Sequence, residues 1–270
     1  MLTMSDSDFS RLYRFMNTHY GIDFSKKKTL VESRLANLIN RGGYGGFTDF
    51  IDRVIVHHRP DELDMMLNRL TTNYTYFMRE SNHFEFLQHT VLAELKARRG
   101  PRQIRVWSAG CSTGEEPYTI AMCLKDALGS SASLWGIQIM ATDISTEALC
   151  SAQAACYTES ALSALPVSWR RRYFTKQSDD AYQVTPEIRS LVTFRRFNLM
   201  DDAAFGLGFD VVFCRNVMIY FDLPAREGLI QRFFRALSPG GYLLIGHSES
   251  LNRNKIPLQY LMPAIYRKMP

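Results

Sequence analysis

Apolar residues in the first third of the chain recur at intervals of three and four, which is the spacing of a helix with one buried face. The pattern extends from Ser5 to about Leu95 and includes pairs such as Leu12 with Met16. It is interrupted at "YGIDF", at the glycine-rich "RGGYGGF" and at "HHRPDE", so several short helices joined by turns are expected. We assign residues 1–85 to a small, all-helical N-terminal domain.

After "ARRGPRQ" the pattern changes to short apolar runs that alternate with amphipathic segments. The runs "IRVWSAG", "WGIQIMATDI", "FDVVFCRN" and "GYLLIGHS" predict strands, and helices are predicted over 115–128, 146–155 and 224–237. This alternation is typical of a mostly parallel sheet wrapped by helices. Residues 86–270 are therefore expected to form an α/β domain.

The alternation lapses between Tyr157 and Asn198. Here "WRRRYF" favours a helix, while "AYQVTP" and "LVTFRRFNL" favour strands. We expect an inserted helix and a small antiparallel β-lobe at about 157–198.

The composition excludes some classes of protein. The 270 residues are 46% hydrophobic and 22% charged, which is ordinary for a globular chain with two cores. No segment approaches the roughly 18 to 20 consecutive apolar residues of a membrane span, and the start of the chain lacks the pattern of a signal peptide. We therefore expect a cytoplasmic protein with no membrane insertion. The five cysteines stand singly, without the spacing of a zinc site or a disulfide framework.

The formal net charge of +5 is mild for a nucleic-acid-binding protein, but the basic residues are unevenly placed. The segment "SKKKTLVESRLANLINRGG" contains five basic residues and one acidic residue. Lys27, Arg34 and Arg41 are seven apart, so on a helix they lie along one edge. Such an edge is either solvated or faces a partner.

The segment "RVWSAGCSTGEEPYTIAM" is a strand, a turn and the start of a helix. Ligands of open parallel sheets bind at the carboxyl ends of the strands, and the glycines Gly110 and Gly114 allow the backbone to approach a ligand closely. Their spacing differs from Gly-x-Gly-x-x-Gly, and Glu115 and Glu116 would repel the phosphates of a dinucleotide. The two glutamates suit a cofactor with an ammonium or sulfonium group, although they could simply complement the helix dipole.

The second predicted strand ends in "MATDI", which places Asp143 where an acidic residue accepts hydrogen bonds from ribose hydroxyls. Capping of the following helix is the alternative role for Asp143. Together, the glycine turn, the glutamates and Asp143 indicate S-adenosylmethionine, and they argue against a nicotinamide oxidoreductase.

Six segments, "TTNYTYFMRE", "VWSAGCSTGEEPYTIAM", "ATDIS", "FNL", "FDVVFCRNVMIYFD" and "LSPGGYLLIGHSES", resemble in this order the chemotaxis receptor methyltransferase family, CheR. The resemblance extends from about Phe9 to Tyr266. It implies a Rossmann-like class I methyltransferase sheet, S-adenosylmethionine as the cofactor, S-adenosylhomocysteine as the product and no metal. The implied reaction is the methylation of glutamate side chains on chemoreceptors.

The resemblance also implies roles for individual residues. Cofactor contacts are expected from Asn73, Thr75, Arg79, Glu116, Asp143, Asn198, Leu199, Arg215 and Asn216. Arg79 and Tyr220 are the candidates for orienting the incoming carboxylate. A carboxylate is already ionised at neutral pH and needs no general base, so His247 is expected to be structural.

The family further implies a partner for the basic edge of Lys27, Arg34 and Arg41, namely the acidic signalling region of chemoreceptors. Some members grip a receptor's C-terminal pentapeptide with a glycine-containing loop of the β-lobe, but "FTKQSDDAYQVTPEIRS" contains no glycine, so no such binding is expected. A monomer is expected.

Two alternatives to receptor methylation are a methyltransferase with a different substrate and a protein that binds S-adenosylmethionine without catalysis. The first is a class I methyltransferase of RNA or DNA. Enzymes of this kind that methylate exocyclic base amines typically have an Asn or Asp followed by two prolines and an aromatic residue, whereas Asn216 is followed by Val217 and Met218. The second is a non-catalytic S-adenosylmethionine-binding adaptor, against which Arg79, Asn216 and Tyr220 argue.

Overall fold

The computed structural model describes residues 2–98, 100–202, 208–252 and 256–269. The N-terminal part is all-helical, as expected: α1 (Asp6–Tyr20), α2 (Lys28–Arg41), α3 (Phe47–Ile55) and α4 (Pro60–Leu70). All three expected interruptions fall between these helices. Two further short helices, α5 (Asn82–Phe86) and α6 (Leu92–Ala97), flank a π-helical turn at Leu87–Val91 and lead into the sheet.

Local chemistry explains where α1 begins and ends. The Ser5 side chain accepts a hydrogen bond from the Asp8 backbone N–H at the first turn, and Gly21 ends the helix with a φ of +69°. Leu12 and Met16 are buried, and they pack in one apolar cluster with buried side chains of α2, α3 and α4. The periodicity of the sequence therefore marks the buried face of this domain.

The second part is a seven-stranded sheet of order β6-β2-β1-β7-β8-β10-β9. Its strands are β1 (Gln103–Ala109), β2 (Gly136–Asp143), β6 (Val192–Arg196), β7 (Phe209–Cys214), β8 (Leu237–Ile245), β9 (Gln259–Met262) and β10 (Ile265–Arg267). Strands β6, β2, β1, β7 and β8 are parallel, whereas β10 pairs antiparallel with β8 and β9. Three longer helices accompany them: α7 (Glu115–Leu128), α8 (Thr146–Ala154) and α11 (Leu223–Ala236). From β1 the chain builds β2 and β6 on one side and later β7 and β8 on the other, so the strand order reverses at β1. A ligand site is expected at the carboxyl ends of the strands at such a point.

The inserted lobe is a separate three-stranded antiparallel sheet of β3 (Cys156–Tyr157), β5 (Ala181–Val184) and β4 (Phe174–Ser178). Two short helices accompany it, α9 (Val167–Tyr173) and α10 (Pro186–Arg189). The expected lobe at about 157–198 extended too far, since β6 pairs in parallel with β2 and is an edge strand of the main sheet. Its partly exposed, alternating side chains look like those of a lobe strand.

The helical domain joins the sheet at the turn that follows β7. The Asp23 N–H donates to the Tyr220 carbonyl at 2.8 Å, and the Asn17 side chain donates to Asp222 at 2.8 Å. All five cysteines are free thiols. Within the described residues, no helix has both the length and the apolar character needed to cross a bilayer.

Candidate cofactor and substrate site

One cavity lies at the carboxyl ends of β1, β2 and β7, beneath the helical domain. It is lined by all ten residues expected to contact the cofactor or orient the carboxylate: Asn73, Thr75, Arg79, Glu116, Asp143, Asn198, Leu199, Arg215, Asn216 and Tyr220. Lys27 and Arg34 line it as well, whereas Arg41 does not. Residues from both halves of the chain therefore surround a single space.

The turn after β1 requires glycine at two positions. Gly110 and Gly114 have φ angles of +82° and +96°. A Cβ at Gly110 would lie 2.4 Å from Cγ2 of Val217, and one at Gly114 would lie 2.9 Å from the Cβ of Ala152. Both the backbone angle and the close contacts exclude a side chain at these positions. A ligand in the cavity can therefore approach the backbone of the turn closely.

Asp143 joins this turn to the turn that follows β2. One of its carboxylate oxygens accepts from the Ser112 N–H at 2.8 Å and the other from the Ser145 N–H at 2.9 Å. Burial raises the pKa of Asp143, although these hydrogen bonds oppose the rise. A carboxylate has about four acceptor positions, so Asp143 retains acceptor capacity while it shapes the cavity wall.

The Glu116 carboxylate is paired with two other side chains of the site. It accepts from the Ser108 hydroxyl at 2.7 Å and from Nη1 of Arg215 at 3.1 Å. The Arg215 guanidinium also donates to Glu80 at 3.1 and 3.2 Å, and its side chain is only 2% exposed. A buried ion chain, Glu80–Arg215–Glu116, therefore forms one wall of the cavity.

The two carboxyl groups of this chain have pKa values shifted in opposite directions. Burial raises the pKa of Glu116 despite the nearby Arg215 guanidinium. Burial also acts to raise the pKa of Glu80, but Arg215 and the His247 N–H outweigh it, so the pKa is lowered. Glu80 was given no role from the sequence, although it ends the motif "TTNYTYFMRE".

Asn216 has an unusual backbone and an unsatisfied side chain. Its φ is +59°, its Nδ2 donates to Glu80 at 3.4 Å, and its N–H donates to Glu249 at 3.0 Å. Its buried Oδ1 accepts no hydrogen bond within the described part of the chain. The turn at Asn216 is thus held by two carboxylates, those of Glu80 and Glu249.

A second carboxylate missed by sequence analysis supports this turn. Besides the Asn216 N–H, Glu249 accepts from the N–H groups of Ile219 at 3.2 Å and Gly246 at 2.6 Å. Glu249 thus joins the end of β8 to the turn after β7. Its only signal in the sequence is its place in "LSPGGYLLIGHSES".

Arg79 and Tyr220 each have a polar group without a hydrogen-bonding or ionic partner among the described residues. Nη1 of Arg79 donates to the Tyr74 carbonyl at 2.9 Å, and the guanidinium lies 5.9 and 5.7 Å from the ring centres of Tyr74 and Tyr76. Across the described ranges, no carboxylate pairs with Arg79 and no hydrogen bond is made by the Tyr220 hydroxyl. Lys27 lies beside Tyr220, with its Nζ 5.7 Å from the ring centre.

The remaining expected contacts lie on two walls of the cavity. The Asn73 side chain donates to the Ser145 hydroxyl at 3.3 Å, and the Asn73 backbone carbonyl accepts from the Ser112 hydroxyl at 2.8 Å. Asn198 donates to the His19 carbonyl at 2.8 Å, so it also ties β6 to the helical domain. Leu199 follows and is 8% exposed.

Lys27, Arg34 and Arg41, the basic residues expected along one edge, differ in what they contact. Arg34 donates to the Leu70 carbonyl at 2.6 Å and to the Thr72 hydroxyl at 2.9 Å, which completes the end of α4. Lys27 precedes α2 and faces the cavity, while Arg41 is the exposed last residue of that helix. Arg41 is therefore the member of the set that does not line the cavity.

Glu80, His83 and His247 place three possible metal-ligand atoms within 4.8 Å of one another. The Glu80 carboxylate is already paired with Arg215, and a guanidinium beside it opposes the binding of a second cation. We therefore assign no metal to this cluster.

The chain was compared with protein-family models and with known proteins. Residues 73–265 match the model "CheR methyltransferase, SAM binding domain", and residues 7–71 match "CheR methyltransferase, all-alpha domain". The chain is 40% identical over 272 residues to the chemotaxis protein methyltransferase of Borreliella burgdorferi, a match covering 99% of this chain and 96% of that protein. It is 37% identical to chemotaxis protein methyltransferase 1 of Pseudomonas aeruginosa, with coverage of 97% and 96%. For the protein of Escherichia coli K12, the identity is 36% and the coverage 93% and 87%.

Proposed function

The chain belongs to the CheR family of S-adenosylmethionine-dependent methyltransferases of chemotaxis, and from this premise we propose that its cavity aligns a chemoreceptor glutamate with the methyl donor. The product would be a glutamate methyl ester. The observation that carries the proposal is the pairing of Arg79 and Tyr220 in one cavity, each with a polar group that the described residues do not use.

The residues around the cavity fit S-adenosylmethionine. Glu116 would face its cationic end and Asp143 would accept from its ribose, and the glycine turn at Gly110 lets it approach the backbone closely. When bound, it supplies a sulfonium methyl that passes to a carboxylate oxygen as the carbon–sulfur bond breaks, which leaves S-adenosylhomocysteine. Leu199 and Asn198 would border the adenine, and Thr75 and Asn73 the opposite wall.

In this reaction the protein positions the receptor carboxylate against the methyl donor. It does not transfer a proton. A glutamate with its ordinary pKa of about 4.3 is ionised at neutral pH, so no general base is required. Arg79 would hold one carboxylate oxygen, and Tyr220 would donate its hydroxyl to the carboxylate. His247 donates its backbone N–H to Glu80 at 3.1 Å, which supports a structural role. Alignment of reacting atoms about 3 to 3.5 Å apart can account for a large share of the rate.

The test uses labelled S-adenosylmethionine, receptor-rich membranes and base-labile label as the readout for methyl esters. Arg79→Ala is expected to lower kcat on the order of 100-fold while the affinity for S-adenosylmethionine falls by a much smaller factor. Tyr220→Phe removes one hydrogen bond and is expected to cost about tenfold in kcat. Arg14→Ala, an exposed arginine on α1, is the matched control.

Three outcomes separate this function from its rivals. Equal losses of activity and cofactor affinity in Arg79→Ala would make Arg79 only a cofactor clamp. Binding of S-adenosylmethionine without any base-labile label would favour an adaptor. Label on RNA or DNA, with a salt-sensitive gel shift, would favour a nucleic-acid methyltransferase.

We propose two finer features of the receptor partner. Arg41 contributes to the surface that meets the acidic signalling region, since it is exposed and lies outside the cavity. The β-lobe does not bind a receptor pentapeptide, because its β4–β5 turn carries Asp179 and Asp180, which would repel a C-terminal carboxylate. A micromolar complex with such a pentapeptide in calorimetry would contradict this second feature. We also propose that the protein acts as a monomer.

A further inference from the structure

Arg79 is presented by an unusual stretch of backbone. The residues on either side of it, Met78 and Glu80, have φ angles of +61° and +53°. Side chains other than glycine rarely adopt this left-handed region, and they remain there only where the surrounding structure holds them. Some contact must therefore fix the backbone at Arg79.

Arg215 supplies that contact. Its Nη2 donates to the Arg79 carbonyl oxygen, and its Nε and Nη2 donate to one oxygen of Glu80 at 3.2 and 3.1 Å. The other oxygen of Glu80 accepts from the His247 N–H at 3.1 Å and from Asn216 Nδ2 at 3.4 Å. Glu80 thus ties the strained turn to the ends of both β7 and β8.

Charge balance alone does not explain Glu80. Arg215 is already paired with Glu116 at 3.1 Å, so one carboxylate remains beside the buried guanidinium if Glu80 is neutralised. Glu80 itself does not line the cavity, so it is not placed to contact the cofactor or the substrate. Glu116 holds the Arg215 guanidinium from one side, and Glu80 holds it from a second side. With both contacts in place, the orientation of the guanidinium that donates to the Arg79 carbonyl is fixed.

We propose that Glu80 is a positioning residue, which orients Arg215 so that the Arg79 side chain is presented to the receptor carboxylate. The inference rests on the proposed function of Arg79. It gives Arg215 a positioning role in addition to the cofactor contact expected from the sequence.

The experiment is a double-mutant cycle on receptor methylation with Glu80→Gln, Arg79→Ala and the double variant. Glu80→Gln keeps the size and one acceptor of the side chain, and Arg215 stays paired with Glu116. Because misplacement by about 1 Å can cost 100-fold, Glu80→Gln is expected to lower kcat on the order of 10- to 100-fold and to change the Kd for S-adenosylmethionine by a much smaller factor, since Arg215 keeps its contact with Glu116. Glu85→Gln, an exposed glutamate on α5, is the matched control.

The cycle separates positioning from a structural role. If Glu80 acts through Arg79, Glu80→Gln changes kcat less than about threefold when Arg79 is already alanine. A full, additive loss in that background, or a Glu80→Gln enzyme no different from Glu85→Gln, overturns the proposal. Circular dichroism reports folding, and if Glu80→Gln does not fold, Glu80→Asp enters the same cycle. Failure of the wild-type protein to form base-labile esters would instead refute the proposed function.

Discussion

His83 is a buried histidine whose titration should make the stability of the protein depend on pH. It is 0% exposed, and neither ring nitrogen has a hydrogen-bond partner within the described ranges. Burial is the main cause that lowers its pKa from the ordinary 6.5 to about 3, and the positive charge of Arg215 is the second. The Glu80 carboxylate acts to raise this pKa, whereas His247 acts to lower it. Below about pH 6.5 the unfolded chain therefore takes up a proton that the folded protein does not.

The sign and size of the effect follow from this difference in proton uptake. Unfolding binds the extra proton between about pH 6.5 and pH 3, so the free energy of unfolding falls as the pH falls through this window. A single group contributes about 1.4 kcal/mol per pH unit well inside the window. From pH 6.5 to pH 4.5 the His83 contribution is therefore a loss on the order of 2 kcal/mol.

The assay is urea denaturation followed by circular dichroism at several pH values between 4.5 and 7.5. His83→Leu removes the titrating ring without breaking a hydrogen bond, so its free energy of unfolding should fall less steeply with acid than that of the wild type. His89→Leu changes an exposed histidine six residues away and should keep the wild-type slope. Parallel slopes for wild type and His83→Leu would show that His83 is hydrated or paired in solution, which would refute the reasoning.

Two further substitutions test the cavity and the partner surface. Gly110→Ala should weaken S-adenosylmethionine binding by at least about tenfold in calorimetry, because its Cβ would meet Val217 at 2.4 Å with a φ of +82°. Affinity equal to that of the wild type would show that the turn adapts. Arg41→Glu should raise the KM for receptors about three- to tenfold at low ionic strength, less so in high salt, with cofactor affinity unchanged. An unchanged KM, matching that of Arg14→Glu on α1, would remove Arg41 from the docking surface.

The elements that the sequence predicted well are those with local causes. Helix α7 covers Glu115–Leu128, as expected, because a glycine precedes it and its apolar residues keep helical spacing. The grouping of the expected cofactor contacts around one cavity also followed from a general rule, since the carboxyl ends of parallel strands meet at one edge of the sheet. Placing Asp143 near Gly110 needed only the assignment of two strands.

The features that were missed depend on partners distant in the chain. Arg34 looks like a member of a charged edge, yet its guanidinium completes the end of α4, 36 residues away from it at Leu70. Glu80 gains its importance from Arg215, 135 residues further on. No local pattern distinguishes these residues from solvated charges, because the contact that defines each one is made only when the helical domain or the sheet is complete.

The ion chain changes how the charge of the site should be understood. The paired glutamates at the start of α7 suggested a negative surface for a cationic cofactor, but Glu116 is neutralised in part by Arg215. Counting Glu80 restores the original argument, since two carboxylates share one guanidinium and leave a net negative charge in the buried wall. The free positive charge lies elsewhere, on Arg79 between exposed Tyr74 and Tyr76, where an incoming carboxylate would arrive. Because the negative charge lies in the buried ion chain and the positive charge on Arg79, the cavity would bind a cation and an anion side by side without neutralising itself.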